Sequence, residues 1–454
     1  MKKHNFDSYF YGTFFRLSGV IILQNLLIYS VNLADNIMIG RYSEVAMNGV
    51  SLANQIQFLL QMLALGTSNG MSVLAAQYWG KRSTEPIKKI FAAANWFAVT
   101  ASLALSVFVI AFPQTALGLL TDKQDAIEEG SKYIVIMGFT YCIYAVTNLL
   151  LGMLRSVETV HIGFIVTAVS LVINVSLNYI LIFGKCGAPE LGVRGAAFAT
   201  VTSRVAELVI VCVYVFAVDK KIRLKPADLF RTDRTYMRDF LKTGLPLIGS
   251  NVSWGIAMSV QTAILGRLDS PYVLGANNIA TTLFQVASVL YTSISNASSV
   301  LIGKTVGEGD VPRVKRYAKR MQVLFLIFGL VSSAIMLLTS RRVIALYNVS
   351  DGTAALARTF ILILSVTIIG SSYEAPCLCG IVSGGGQTNF VLINDLIWMW
   401  GIILPTAVLS AFVFHWPIPV TFFILKADQI TKCAVAVVKV NRFRWIRDLT
   451  RDAA

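Results

Sequence analysis

The sequence predicts an all-α polytopic membrane protein, with twelve transmembrane helices in two parallel six-helix repeats. Three observations predict it. Apolar residues come in runs of about 20, the length that spans a bilayer. Basic residues crowd into every second loop, and short motifs recur at an offset of about 226–229 residues. Composition agrees: 56% of the 454 residues are hydrophobic and 14% are charged, whereas a soluble chain carries about 25% charged residues. The mean hydropathy is +0.67.

The apolar runs place spans near 13–39, 49–77, 90–112, 132–154, 162–184 and 196–218. A second set follows near 242–266, 276–302, 321–339, 357–382, 390–412 and 418–438. The first run is too long for a signal-peptide core and is followed by Asp35 rather than a small-residue cleavage site. It therefore reads as a retained span. The division is an N-terminal lobe over 1–218, a cytoplasmic connector over 219–241, and a C-terminal lobe with a basic cytoplasmic tail over 242–454. In the connector, Thr232-Asp233 reads as the cap of a short surface helix.

The net charge of +15 does not point to nucleic acid, because its placement follows the membrane. Of the 39 Lys and Arg residues, 26 lie on the side of the N-terminus and nine in the opposite loops. Arg16, Arg204, Lys426 and Lys432 fall within spans. That bias puts both termini in the cytoplasm. Three histidines and scattered acids leave little for a metal site. The six cysteines lie mostly inside apolar runs and read as small core residues rather than a disulfide framework. There is no His-rich motif, nucleophile elbow or Walker-type loop, which argues against a membrane enzyme and against an ATP-driven pump.

Polar residues inside the spans are the candidates for function, since a carboxylate there costs about 2.5–3.5 kcal/mol on insertion scales. In the first span Gln24, Ile28, Asn32 and Asp35 fall on one narrow face, with Asn25 at its edge. Asp35 reads either as a satisfied acid near a helix end or as an ion-coupling or substrate-linked group. In the second span Asn54, Gln57, Gln61, Ser68 and Ser72 share a face. Gln285, Ser288, Thr292, Ser295, Asn296 and Ser299 do the same in the eighth. Such stripes either line a shared cavity or hydrogen-bond between helices. Asn174 and Asn178, one turn apart in the fifth span, could ligate a cation, polarise an acid or simply hold helices together. Arg204 with Glu207, and Asp428 with Lys432, have the spacing of structural ion pairs. Glu374, deep in the tenth span, has no obvious local partner and is the second candidate acid, with Lys426 available to neutralise it.

The halves repeat each other. Asn25 answers to Asn251, Ile39-Gly40-Arg41 to Leu265-Gly266-Arg267, and Val73-Leu74 with Gly80 to Val300-Leu301 with Gly307. Gly152-Met-Leu-Arg-Ser-Val-Glu-Thr159 answers to the stretch from Gly380 to Thr388, with one inserted glycine. An even number of helices per half makes such repeats parallel, and substrate sites in such proteins lie between the halves.

With these residues in view, the chain resembles the multidrug and toxic compound extrusion (MATE) family. The likeness rests on Val31 to Arg41, with its acid before a Met-x-Gly turn, and on Gly152 to Thr159. It continues through Leu191 to Thr200, Gly244-Leu-Pro246, and the closing Trp445-Ile-Arg-Asp-Leu-Thr450 of bacterial members. The resemblance implies a V-shaped pair of six-helix lobes in the bacterial inner membrane. It implies that a monomer exports small amphipathic drugs or toxic metabolites, often cationic, in exchange for Na+ or H+, by alternating access. It brings no cofactor beyond the coupling ion, and no partner beyond its substrates and the surrounding lipid.

By motif, Asp35 falls on the family's first-helix acid and Asn174 on its fifth-helix asparagine, while Asn178 stands where many members carry aspartate. These three would couple the ion, and would ligate it if it is sodium. Gln24, Asn32, Gln57, Gln61, Gln285, Thr292 and Glu374 are the candidate substrate contacts. Trp254 replaces a seventh-helix glutamate of one branch, and Ser383 and Gln387 replace an arginine and an acid. The alternative within the superfamily is a flippase for a lipid-linked saccharide. Its cavity would be expected to carry several basic residues for pyrophosphate.

Overall fold

The computed structural model describes residues 3–121, 123–268, 270–347 and 349–451, with the backbone alone for residues 3–9 and for Glu44. Lys2 of the charge count and the side chain of His4 therefore lie outside the described residues. The helices in chain order are α1 (Lys3–Tyr42), α2 (Glu44–Gly80), α3 (Glu85–Ala111), the short α4 (Pro113–Gly118), α5 (Gln124–Gly138), α6 (Thr140–Ser156), α7 (His161–Phe183) and α8 (Gly192–Val213). After the connector come α9 (Arg234–Gly266), α10 (Val273–Gly307), α11 (Val311–Leu346), α12 (Asp351–Ala375), α13 (Thr388–Leu396), the short α14 (Leu404–Val408), α15 (Ile418–Lys426) and α16 (Asp428–Asn441). No strand occurs among the described residues.

Every expected span coincides with a helix or a helix pair. Among the described residues nine helices are long and apolar enough to cross a membrane, ten when α5 and α6, bent by 50° where they meet, count as one. The other two expected spans are α9 and the α15–α16 pair. The 33-residue α9 opens with Arg234, Arg238, Asp239 and Lys242, and α15–α16 carries Lys426, Asp428 and Lys432 around a break at Ala427. The three charges lower the apolarity of α15–α16, whereas in α9, uncharged from Thr243 to Gly266, Asn251, Gln261 and several serines do so. Short π-helical turns at Pro376–Val382, Ile397–Ile403 and Leu409–Val413 let α12 to α14 widen without losing their backbone hydrogen bonds.

The chain divides into two compact units. The N-terminal unit is Leu23–Ala75 with Arg82–Ile248. Its core gathers Ile39, Val50 and Leu60 against Ile134, Met137 and Ala197. Small residues let its helices approach closely: a Cβ on Gly66 of α2 would stand 2.6 Å from the Cα of Ile248 in α9. On one end the connector lies against α3, where Asn95 and Trp96 donate to the carbonyls of Leu229 and Phe230, both at 3.1 Å. Asp233 is a cap, as its sequence position suggested, but not of a separate surface helix. Its Oδ1 accepts from the N–H groups of Thr235 and Tyr236, each at 3.0 Å, at the start of α9 itself.

The C-terminal unit is Met1–Ile22, Ala76–Lys81 and Gly249–Ala454. The start of α1 is part of its core, with Phe10 against Tyr317 at 4.6 Å between ring centroids. So is the tail: Trp445 is fully buried, and its Nε1 donates to the Val440 carbonyl at 2.9 Å. Arg447 N–H bonds the Gly385 carbonyl at 2.8 Å. Gln77 at the end of α2 donates to the carbonyls of Gly384 and Arg447, and accepts from Leu449 N–H at 2.8 Å. Among the described residues the six cysteines are free, and, against the expectation that they are core residues, only Cys377 is buried. Cys186 lies in the loop after α7, Cys379 is exposed, and Cys433 packs against the edge of the C-terminal core.

Candidate functional site

The N-terminal unit carries a hydrogen-bonded chain that ends on Asp35. Asn178 Nδ2 donates to Asp35 Oδ1 and also to Asn174 Oδ1, the latter at 3.1 Å. Asn174 Nδ2 donates to Thr200 Oγ1 at 3.4 Å, and the Thr200 hydroxyl donates to the Ala196 carbonyl at 3.0 Å. Helical spacing builds this chain. Asn174 and Asn178 are one turn apart on α7, and Ala196 and Thr200 are one turn apart on α8. Each amide already spends its NH2 group on the next member, so two oxygens remain over. Asn178 Oδ1 is buried without a partner, and Asp35 accepts only the one bond on Oδ1 among the described residues.

Charge nearby is modest. Arg204, one turn beyond Thr200 on α8, pairs with Glu207 at 3.0 Å, as the spacing required, and lies 4.7 Å over the Tyr144 ring. Its charge also reaches Asp35, a proximity no local spacing reveals. A shallow cavity of about 610 Å³ is lined by Ala34, Ile37, Tyr179 and Phe183 with Arg41, Lys185 and Glu190, chain neighbours of Asp35 and Asn178, but by neither of those two.

The C-terminal unit carries a second, more highly charged centre. Lys432 of α16 lies 3.1 Å from Asp395 of α13 and 3.4 Å from Asp428. Asp395 also accepts from Ser250 Oγ of α9 at 2.5 Å. The expected Asp428–Lys432 pair is therefore real but is half of a larger group. Close packing assembles it: Gly370 of α12 faces the backbone of Gln429 and Ile430 in α16, which brings Glu374, one turn on, toward Lys432. The counter-charge for Glu374 is Lys432. Lys426, the residue the sequence suggested, instead donates to Gln261 Oε1 of α9 at 2.7 Å. Lys426 sits at the end of α15, just before the break at Ala427, so its side chain leaves toward α9 rather than α12.

The remaining candidates scatter. Gln24 is half-buried against Gly163, while Ile28 and Asn32 of the same stripe are exposed. Gln57 and Gln61 are half-buried on α2. In the other unit Gln285 and Thr292 are exposed on α10, the latter donating to the Ser288 carbonyl at 3.0 Å. Among the described residues no group of three or more His, Cys, Asp and Glu side chains is arranged to hold a metal ion. Sequence reasoning missed Asp395, Ser250, Gln261 and the role of Thr200. For Asp395 a signal was present, a lone acid inside an apolar run.

Comparison with known proteins decides the family. A family model described as MatE matches residues 21–180 and again residues 246–414, once in each half. The chain belongs to the MATE family of transporters. The two matches reproduce the internal repeat read from the motifs. Among its relatives are an uncharacterized transporter, YisQ, of Bacillus subtilis (strain 168), 26% identical over 87% of this chain and 86% of that one. A probable multidrug resistance protein NorM of Thermotoga maritima is 23% identical over 94% and 92%. Among solved structures, the eukaryotic MATE transporter AtDTX14 superposes with a TM-score of 0.87 at 16% identity, over 97% of each chain. A MOP superfamily transporter from Pyrococcus furiosus, for which reverse polarity of the binding pocket suggests a different function, gives 0.86 at 19% identity over 95% of each. These structural likenesses carry the twelve-helix fold. As a MATE protein the chain is a multi-pass membrane transporter of small molecules and not an enzyme.

Proposed function

We propose that this MATE protein is a secondary antiporter that exports small amphipathic, often cationic compounds in exchange for Na+ or H+. It would work by alternating access, as a monomer in the bacterial inner membrane, with both termini cytoplasmic. The names of the NorM relatives support the substrate class, and the 26-to-nine bias of basic residues supports the orientation. One observation carries the coupling: Asp35 and Asn178 each present an oxygen with no partner at the end of a chain whose donors are already committed. Two such oxygens fit a proton on the carboxylate or a sodium ion between them, since hard cations take oxygen ligands.

Loading that ion neutralises Asp35, and a neutral group is cheaper to enclose than a charged one. Closure of the extracellular side then follows ion loading and disfavours bound substrate, so each ligand biases the equilibrium against the other. A tenfold ion gradient supplies about 1.4 kcal/mol, and about 100 mV of potential adds roughly 2.3 kcal/mol per charge.

The test is export by purified, reconstituted protein under imposed sodium or pH gradients. Asp35→Asn keeps the shape and mimics the protonated form, so it is expected to insert and fold and to lose export driven by either gradient. Export at the wild-type rate would reject Asp35 as the coupling group and move the role to Glu374.

A further inference from the structure

The charged centre of the C-terminal unit has the make-up of an ion site in which the ion is part of the chain. Lys432 is 5% exposed, and its ammonium is held between Asp395 and Asp428. Glu374 stands within electrostatic reach of that ammonium and of both aspartates, yet makes no hydrogen bond or ion pair among the described residues. Ser371, one turn back on α12 and 3% exposed, has a hydroxyl without a partner. Lys426 does not make up the deficit, since it is bonded to Gln261. Three carboxylates on three helices thus surround one directly bonded cation. A lysine ammonium is a compact point charge on a flexible four-carbon stem. Here that stem delivers the charge between the carboxylates of α13 and α16, with the Glu374 carboxylate of α12 within electrostatic reach.

We propose that Lys432 is a tethered cation, occupying in the C-terminal unit the place that a soluble monovalent cation would otherwise take. This unit then keeps a fixed charge through the transport cycle and does not load an ion of its own. The inference stands on the geometry around Lys432. Only its corollary, that loading belongs to Asp35, rests on the function proposed above.

The experiment removes the tether and offers a free ion. It uses the full-length purified chain in an Asp35→Asn background, which silences the N-terminal centre, so its outcome is independent of whether Asp35 couples. Binding of radioactive sodium is measured, together with thermal stability in sodium chloride against N-methyl-D-glucamine chloride of equal ionic strength. Asp35→Asn alone is expected to show no saturable sodium binding. Asp35→Asn with Lys432→Ala is expected to gain it, at about one ion per chain, with an unfolding midpoint that rises with sodium as binding to the folded state requires. Adding Asp395→Asn is expected to abolish the gain. A folded Lys432→Ala protein that binds no sodium overturns the proposal, as does binding that Asp395→Asn leaves untouched. If Lys432→Ala folds only in sodium, the proposal is supported. If neither it nor Lys432→Gln folds even in sodium, a free ion does not replace the ammonium and the proposal fails.

Discussion

In the N-terminal unit one carboxylate, Asp35, is held by a neutral relay of amides and a hydroxyl through Asn178, Asn174 and Thr200. In the C-terminal unit Asp395, Asp428 and Glu374 gather round Lys432, Ser250 donates to Asp395, and a second lysine, Lys426, is paired with Gln261. The first arrangement leaves oxygens over and lacks a full counter-charge. The second supplies its counter-charge from within the chain. Duplicated lobes thus need not carry duplicated chemistry. A polar centre with spare oxygens is suited to respond to an ion gradient, and one with its own lysine is suited to hold helices in register. Interior ion pairs are poor sources of net stability, but breaking one is expensive because it strands a charge.

The largest expected effect follows from that asymmetry. Asp395→Ala removes one arm of Lys432 and the Ser250 bond, and should lower stability by about 3–5 kcal/mol, the range for one partner of a buried pair. Asn178→Ala, which breaks the neutral relay, should cost about 1–3 kcal/mol, the penalty for unsatisfied buried polar groups. Denaturation of the two purified variants against wild type measures the difference. Equal losses would mean that the two centres are held in the same way.

A second contrast lies at the ends of the units. The C-terminal unit closes on Trp445, buried against Val440, Phe443 and Gly385, whereas the N-terminal unit is crossed by the connector with Phe230 half exposed over Trp96. Trp445→Ala should cost about 3–5 kcal/mol, as large aromatic deletions in cores do. Phe230→Ala should stay below about 1.5 kcal/mol, the scale of an aromatic pair beyond its buried area. Both are read by the same denaturation measurement, and a Trp445→Ala loss as small as that of Phe230→Ala would mean the tail is a surface strand of chain rather than part of the core.

Much of this was legible in the sequence, for a definite reason. Bilayer spans advertise themselves through uninterrupted apolar runs, so each of the twelve spans found its helix, even the α15–α16 pair with its three charges. Asp35 stood out because one acid in an apolar run is costly, and its meeting with Asn178 followed the family motif rather than any spacing, since 143 residues separate them. What stayed hidden was tertiary. Asp428 and Lys432 are one turn apart and declared themselves, but Asp395 lies 37 residues from Lys432 and meets it only because the turn Ile397–Ile403, which directly follows α13, packs beside α16. Lys426 was assigned to the wrong partner for the same reason. A charge on a helix states that it needs a partner, while the crossing of helices decides which one it gets. The cysteines show the limit of composition: an apolar run says that a residue is in the membrane, not that it is in the core.

The smallest effect expected concerns the exposed end of the N-terminal unit, where Lys89 meets Asp233 at 3.2 Å. The N–H of Tyr236 holds the Asp233 carboxyl below its usual range, and, against the opposing effect of burial, the hydrogen bond and charge of Lys89 keep it there. A depressed carboxylate contributes stability that is fully present above its unfolded value, near pH 4. That contribution is lost as the pH falls through the lower folded value. Between pH 5 and 8 the pair should therefore add nothing to the pH dependence, and its loss should appear only below about pH 4. Both side chains are 45% exposed, so solvent screening holds the pair to no more than about 0.5 kcal/mol. Asp233→Asn keeps an N-cap oxygen for Thr235 and Tyr236, and should flatten the acid limb of a stability–pH curve while leaving the neutral plateau within that margin. A variant that lost stability at pH 7 by more than the pair can supply would show that Asp233 anchors the connector by more than its charge. The contrast between a unit closed by buried aromatic packing and one closed by surface contacts would then have to be redrawn.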